Sequence, residues 1–167
     1  MVIYIKNEIT ELRNISGSEV KVIGIIHSPY KTKAECPPQG NNSISEVVIF
    51  KEYEAGLQDL ETFSHIHVLY WMHKSSGYSL SVVTPWDTNP HGLFAVRSPD
   101  RPNPIGYTVV ELIEIDKNVL KVRGLDAIEG TPVIDIKPYI PKIDTKPDAG
   151  EGWIEGKYNP DKKRIHW

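Results

Sequence analysis

The sequence predicts an all-β domain, an antiparallel barrel or sandwich, and three observations carry that expectation. Short β-branched runs recur from Val20 onward, each bounded by Pro, Gly, Asn or Asp. The 13 prolines and 12 glycines interrupt nearly every longer stretch, which argues against a helical bundle. Only Tyr53 to Phe63 carries a helical pattern, and it is short.

Taken in chain order, residues 1–19 form a weakly patterned N-terminal extension. Strands are expected at Val20 to Ile26, Glu46 to Phe50, Ile66 to Met72, Leu80 to Thr84 and Leu93 to Val96. Tyr107 to Ile115, Val119 to Gly124 and Val133 to Lys137 continue the series. Asp116-Lys117-Asn118, between two of these runs, has the composition of a hairpin turn. The domain is expected over residues 20–141, followed by a polar C-terminal arm over 142–167.

At 167 residues the chain suits one domain with a real core, and 40% hydrophobic with 25% charged residues excludes wholesale disorder. Nineteen basic against 22 acidic residues give −3, so nucleic acid cannot be held by bulk charge. That charge is uneven: residues 1–156 carry −6 and the last eleven +3. The lone Cys36 excludes an internal disulfide framework. The N-terminus lacks the apolar run of a signal peptide and no window reaches the length of a membrane span, so a cytoplasmic protein is expected. The Asn-x-Ser site at Asn14 is then idle.

Common nucleotide and hydrolase signatures are missing. Gly150-Glu151-Gly152 is the one G-x-G, with no βαβ unit behind it, so a Rossmann site is excluded. There is no P-loop, no H-E-x-x-H and no G-x-S-x-G. His65, His67 and His73 share one strand face, a spacing compatible with metal binding but without an identifiable partner; packing or substrate hydrogen bonding suits them better, and no metal is expected.

Three loops hold the remaining candidates. Arg97-Ser98-Pro99-Asp100-Arg101-Pro102-Asn103-Pro104-Ile105-Gly106 spaces two arginines and an asparagine along a proline-stiffened segment, which is either a preorganised ligand loop or a structural connection. Leu125-Asp126-Ala127-Ile128-Glu129-Gly130-Thr131-Pro132 carries two carboxylates that can accept ligand hydroxyls or act as a base, or simply form a turn. Pro37-Pro38-Gln39-Gly40 is a third stiff loop whose backbone can approach a ligand.

These residues resemble the TrmO (TsaA-like) family of S-adenosylmethionine-dependent tRNA methyltransferases. The matching blocks are Ile23 to Tyr30, Gly56 to His65, Gly92 to Gly106 and Leu125 to Tyr139, in order over about residues 20–141. The resemblance implies a single-sheet antiparallel β-barrel with little helix that binds S-adenosyl-L-methionine without a Rossmann fold. It implies a homodimer, and N6-methylation of threonylcarbamoyladenosine next to the anticodon of threonine tRNA. Neither DNA nor a membrane is an implied partner. Cofactor-binding positions carried onto this chain are Gln39, Gly40, His73, Lys74, Arg97, Leu125, Asp126, Ala127, Ile128 and Glu129. Val96 and Glu129 stand where the family pattern has Thr and Asp, and a short Trp-bearing arm with a basic end stands where bacterial members have a longer C-terminal domain.

The implied chemistry assigns roles. A carbamoylated N6 is a poor nucleophile with an acidic N–H, so Asp126 or Glu129 is expected as base, or as a clamp on the cofactor. Arg97 or Arg101 is expected to grip the threonylcarbamoyl carboxylate. Asn103 completes the polar set on that loop, and Trp86 and Tyr107 are aromatics suited to stacking an extruded base. A noncatalytic RNA-binding barrel and a methyltransferase with another acceptor are the competing expectations.

Overall fold

The computed structural model describes residues 20–37 and 42–159. Among the described residues eight strands occur: β1 (Gly24–His27), β2 (Ile44–Ile49), β3 (His65–Trp71), β4 (Ser81–Thr84), β5 (Asp87–Gly92), β6 (Ile105–Asp116), β7 (Val119–Arg123) and β8 (Thr131–Pro138). Six of them close a barrel in the order β1-β2-β7-β6-β3-β8, every pair antiparallel, while β4 and β5 form a separate hairpin. The all-β barrel expectation is therefore met.

Alternation builds the core. Along β6, Gly106, Thr108 and Val110 are buried while Ile105, Tyr107 and Val109 are exposed, the period of two that a barrel wall requires. The interior is filled by Ile26, Val47, Ile49, Ile66, Val68, Val110, Leu120, Val122 and Val133, all at most 1% exposed. Each such side chain contributes about 1.5–3 kcal/mol by leaving water. Two glycines permit close approaches. A Cβ on Gly24 would stand 2.3 Å from the Val48 carbonyl oxygen, and one on Gly106 would stand 2.0 Å from the Tyr70 ring.

The turn Asp116-Lys117-Asn118 is present, with Asp116 paired to Val119 and Lys117 at φ 55°. Three expectations need correction, and one strand is an addition to them. The first strand starts at Gly24, not Val20, although Ile23 still bonds Val133 and Phe50 across the seam. Leu93 to Val96 is not a strand: Leu93–Ala95 is a 3₁₀ turn, because a four-residue apolar run with one β-branched member does not fix its own period. The helical segment is two 3₁₀ pieces, Lys51–Leu57 and Leu60–Thr62, separated by Asp59 in the left-handed region at φ 66°. Strand β5, Asp-Thr-Asn-Pro-His-Gly, was hidden by its turn-like composition; it tolerates Pro90 because it lies in a two-stranded hairpin.

A short helix, α1 (Pro141–Asp144), follows β8. The arm beyond it returns to the hairpin. The Trp153 indole nitrogen donates to the Ala95 carbonyl at 2.8 Å and its ring stacks on His91, centroids 3.7 Å apart. The Trp86 indole donates to the Asn159 carbonyl at 3.1 Å, and Lys157 pairs with Asp87, whose carboxyl is held well below the usual range by that ammonium.

Candidate functional site

The barrel's construction places a carboxylate at one of its mouths. Tyr70 and Thr108 point inward from paired strands β3 and β6, and both hydroxyls donate to Oδ1 of Asp126, Tyr70 at 2.9 Å. Tyr70 is 5% exposed, and burial together with the Asp126 charge pushes its phenol far above its ordinary value. It therefore stays a proton donor, and a second acceptor oxygen of Asp126 is left for another group. A bulge helps to aim Tyr70: the register of β3 on β8 shifts between Leu69 and Tyr70.

Asp126 borders two cavities. The larger, about 690 Å³, also presents Arg97, Arg101, Tyr107, Thr108 and Asp144, with Phe94 at its rim. Its size suits a cofactor-sized ligand. The smaller, about 60 Å³, lies against Lys33, Lys74, Ser75, Ala127 and Ile128. The site thus combines carboxylates, guanidinium and ammonium groups with aromatic faces, which can hold a zwitterionic ligand and a flat base.

The proline-stiffened loop is tied down at several points. Asp100 accepts from Ser75 Oγ at 2.7 Å and Lys33 Nζ at 3.3 Å, and the Met72 amide donates to the Pro104 carbonyl at 2.8 Å. Arg101 spends Nη1 on the carbonyls of Val96 at 2.9 Å and Leu93 at 3.3 Å, with its guanidinium 5.8 Å from the Phe94 ring. It is a brace for the 3₁₀ turn as well as a cavity wall. Arg97 lines the same cavity from the start of the loop.

The other candidates are distributed differently. Glu129 lies in neither cavity wall: it accepts from the Ser28 amide at 2.7 Å and pairs with His27 Nδ1 at 2.9 Å, fastening the loop to the end of β1. The His27 hydrogen bond, then the Ser28 amide, hold its carboxyl below the usual range. Leu125 is fully buried in the core, leaving only its backbone for a ligand. Lys74 donates to the Lys31 carbonyl at 3.4 Å beside the smaller cavity, while burial, then the Lys74 charge, lower the His73 imidazole. Neither Trp86, engaged by the arm, nor Asn103 lines either cavity. Gln39 and Gly40 lie outside the described residues.

Sequence reasoning missed Tyr70, Thr108 and Asp144. The first two had a signal, hydroxyls at inward positions of otherwise apolar strands; Asp144 had none, since only the course of the chain after β8 brings it back. Among the described residues, no three of His, Cys, Asp and Glu converge as a metal-binding group, and no helix is long and apolar enough to cross a membrane.

The chain matches the tRNA-methyltransferase O N-terminal domain over residues 25–145. It is 53% identical over 127 residues to an S-adenosyl-L-methionine-binding protein of Archaeoglobus fulgidus, covering 75% of this chain and 91% of that protein. A probable S-adenosyl-L-methionine-binding protein of the same organism is 51% identical over 147 residues, 87% of this chain but only 40% of the relative. The tRNA (adenine(37)-N6)-methyltransferase of Escherichia coli K12 is 36% identical over 155 residues, covering 84% of this chain and 66% of the enzyme. The crystal structure of TrmO from Pseudomonas aeruginosa superposes with a TM-score of 0.68 at 32% identity, over 81% of this chain and 62% of that one.

Proposed function

The chain belongs to the family of the tRNA-methyltransferase O N-terminal domain, and from that footing we propose that it is an S-adenosyl-L-methionine-dependent methyltransferase of tRNA, acting on the N6 of adenine. The observation that carries this reading is the Asp126 carboxylate. It is fixed by Tyr70 and Thr108 at the wall of a cofactor-sized cavity that Arg97 also lines, within the matched region.

The residues fit the cofactor. Asp126 and the backbone of Leu125 to Ile128 offer acceptors for hydroxyls and an adenine amine, and a carboxylate wall suits a cation. Arg97, Lys33 and Lys74 offer cationic partners for an amino-acid carboxylate. S-adenosyl-L-methionine, when bound, supplies a methyl group on a cationic sulfonium. What remains for the protein is to place the acceptor nitrogen in line, exclude water and receive a proton. Phe94 and Tyr107 on the rim present ring faces for a base taken out of its stack.

The finer reading is that the acceptor is threonylcarbamoyladenosine beside the anticodon of threonine tRNA. Arg97 in the wall of the large cavity supports it, as a cation suited to a substrate carboxylate, with Arg101 offering the nitrogens not used on Val96 and Leu93. We read the working form as a cytoplasmic homodimer. Phe94 at 78%, Leu80 at 65% and Val83 at 53% exposure leave apolar surface for a second copy near the cavity rim.

Two measurements test the proposal. Calorimetry with S-adenosyl-L-methionine is expected to give a saturable heat that Asp126→Ala abolishes; no binding by the intact chain rejects the reading. Nucleoside mass spectrometry of threonine tRNA from a deletion strain is expected to lose the methyl on threonylcarbamoyladenosine. Binding without any tRNA methylation by the purified protein supports a noncatalytic barrel instead.

A further inference from the structure

On the outer wall of the barrel, beside the same cavity, lies a polar chain of which the reading above uses only the Tyr107 ring. His67 projects outward from β3 yet is only 7% exposed, because Tyr107, Tyr139 and Asp144 cover it. Its Nε2 is 3.1 Å from Asp144 Oδ2 and its Nδ1 is 2.8 Å from the Tyr107 hydroxyl. The Tyr107 ring stacks on the imidazole, centroids 5.4 Å apart with 21° between planes. Tyr107 and Asp144 both line the large cavity that Asp126 faces.

The proton positions follow from the partners. Asp144 also accepts the Ile140 amide at 2.7 Å; that bond, then the one to His67, holds its carboxyl below the usual range. An ionised carboxylate only accepts, so Nε2 of neutral His67 carries the proton. Nδ1 is then an acceptor, and Tyr107 donates to it. The phenol oxygen keeps lone pairs for a proton coming from the cavity. This is the base–orienter arrangement in which a carboxylate fixes the tautomer of a buried imidazole.

We propose that Asp144, His67 and Tyr107 form the proton relay of the methyl transfer, with Tyr107 the group that meets the acceptor nitrogen. The proposal rests on the methyltransferase reading. As the N–C bond to the methyl forms and the C–S bond breaks, the N6–H bond breaks and its proton passes to the Tyr107 oxygen. The Tyr107 O–H proton passes to Nδ1 of His67. The positive charge lost at the sulfonium reappears on the imidazolium, and Asp144 stabilises it there. Atoms and charge balance with no further reactant. An acylated N6 needs such a partner, because its lone pair is delocalised and its proton must leave as the new bond forms. Tyr107 is the catalytic residue of the three; His67 and Asp144 act through it.

The other titratable or charged groups around the imidazole are His65 on the same strand face, Lys137 opposite on β8, itself paired with Asp135 at 2.6 Å, and Lys146 beyond Asp144.

The first test needs no turnover. Nitrogen-15 NMR of the free protein is expected to show neutral His67 protonated on Nε2. Asp144→Ala is expected to reduce the population of that tautomer, with a folded spectrum otherwise. A proton on Nδ1, or a tautomer balance unmoved by that substitution, overturns the relay. The second test is single-turnover methylation of tRNA with the full chain. Tyr107→Phe is expected to slow the step by about 10²-fold, the lower end for general base catalysis, with affinity for S-adenosyl-L-methionine within a factor of two. His67→Gln and Asp144→Asn are expected to slow it less and to change its pH profile. A Tyr107→Phe protein that methylates at more than half the normal rate removes the relay and leaves the methyltransferase reading intact. An intact chain that binds the cofactor but methylates no tRNA rejects that reading, and the relay's role with it, whatever the tautomer.

Discussion

The ring of Tyr70 occupies the space that any side chain at position 106 would need, with Cε2 2.0 Å from where a Cβ on Gly106 would be. The glycine is the other half of the site. Without the open strand face at Gly106, Tyr70 cannot reach across to Asp126 at 2.9 Å.

Gly106→Ala is expected to cost about 1–3 kcal/mol of folding stability, the usual range for overpacking. Urea unfolding measures it. Affinity for S-adenosyl-L-methionine is expected to fall as well, because the displaced ring lets go of Asp126. A variant with normal stability shows that the ring has another place to go.

Tyr70→Phe keeps the ring and deletes the donor to Asp126. A hydrogen bond to a charged group is worth about 1.5–3 kcal/mol, and part of that is expected to appear as a rise of roughly tenfold in the cofactor dissociation constant. Thr108→Val removes the companion donor and is expected to act in the same direction. Calorimetry that finds unchanged affinity in both variants rules out Asp126 as a clamp.

The two arginines of the proline loop are expected to separate. Lysine has no planar guanidinium to lie beside the Phe94 ring while one nitrogen reaches the Val96 and Leu93 carbonyls, so Arg101→Lys is expected to lose about 1 kcal/mol of stability. Arg97→Lys is expected to fold normally and lose tRNA methylation at least tenfold. If the losses of methylation are reversed between the two, the substrate carboxylate is gripped by Arg101.

Acid pH is expected to loosen the loop after β7. Glu129 titrates lower in the folded chain than in the unfolded one, through its bonds to His27 and the Ser28 amide. Its contribution is therefore complete above the ordinary glutamate range and disappears as the pH falls through the folded value. Glu129→Gln is expected to lower stability at neutral pH and to flatten the acid limb of a stability–pH curve, so that the two curves converge at low pH. An unaltered acid limb places that pH dependence on other carboxylates.

The arm beyond α1 is expected to matter to the cavity although none of its described residues lines it. Trp153 donates to the Ala95 carbonyl inside the very turn that Arg101 braces, next to Phe94 and Val96 in the cavity wall. Trp153→Ala is expected to speed amide hydrogen exchange around residues 91–98 by roughly tenfold, about 1.4 kcal/mol of local opening. Equal protection in the variant makes the arm a passenger.

Much of the barrel could be read in the residues because each wall strand reports its own burial by alternation, and β6 does so over Ile105 to Val110 without a break. The failures fall where that signal is absent. Leu93 to Val96 is apolar for one buried leucine and a ligand cavity, not for a strand. The proline loop and the Asp126 turn were legible as candidate ligand loops on composition. That Arg101 is occupied by backbone carbonyls was not, because a turn of three residues has to fold before its carbonyls converge. Glu129 and Trp86 were reasonable as chemistry and are placed by the fold as fasteners, one to β1 and the other to the arm. His67 was assigned to packing or hydrogen bonding, and its partners come from β6 and α1, which no local pattern connects.

Strand β1 is four residues long and closes the ring alone, Gly24 pairing with Ile49 on one side and Val133 on the other. The second of these contacts joins residues from opposite ends of the domain, so nearly the whole chain must leave the ribosome before the cylinder can shut. Until then β2 and β8 stand as open edges, able to recruit other strands. Loop closure over that span is slow, and the seam is where a growing chain is most exposed to wrong partners. The Glu129 bonds to His27 and Ser28 straddle this seam, so the loop that carries Asp126 is completed only when biosynthesis of the barrel is.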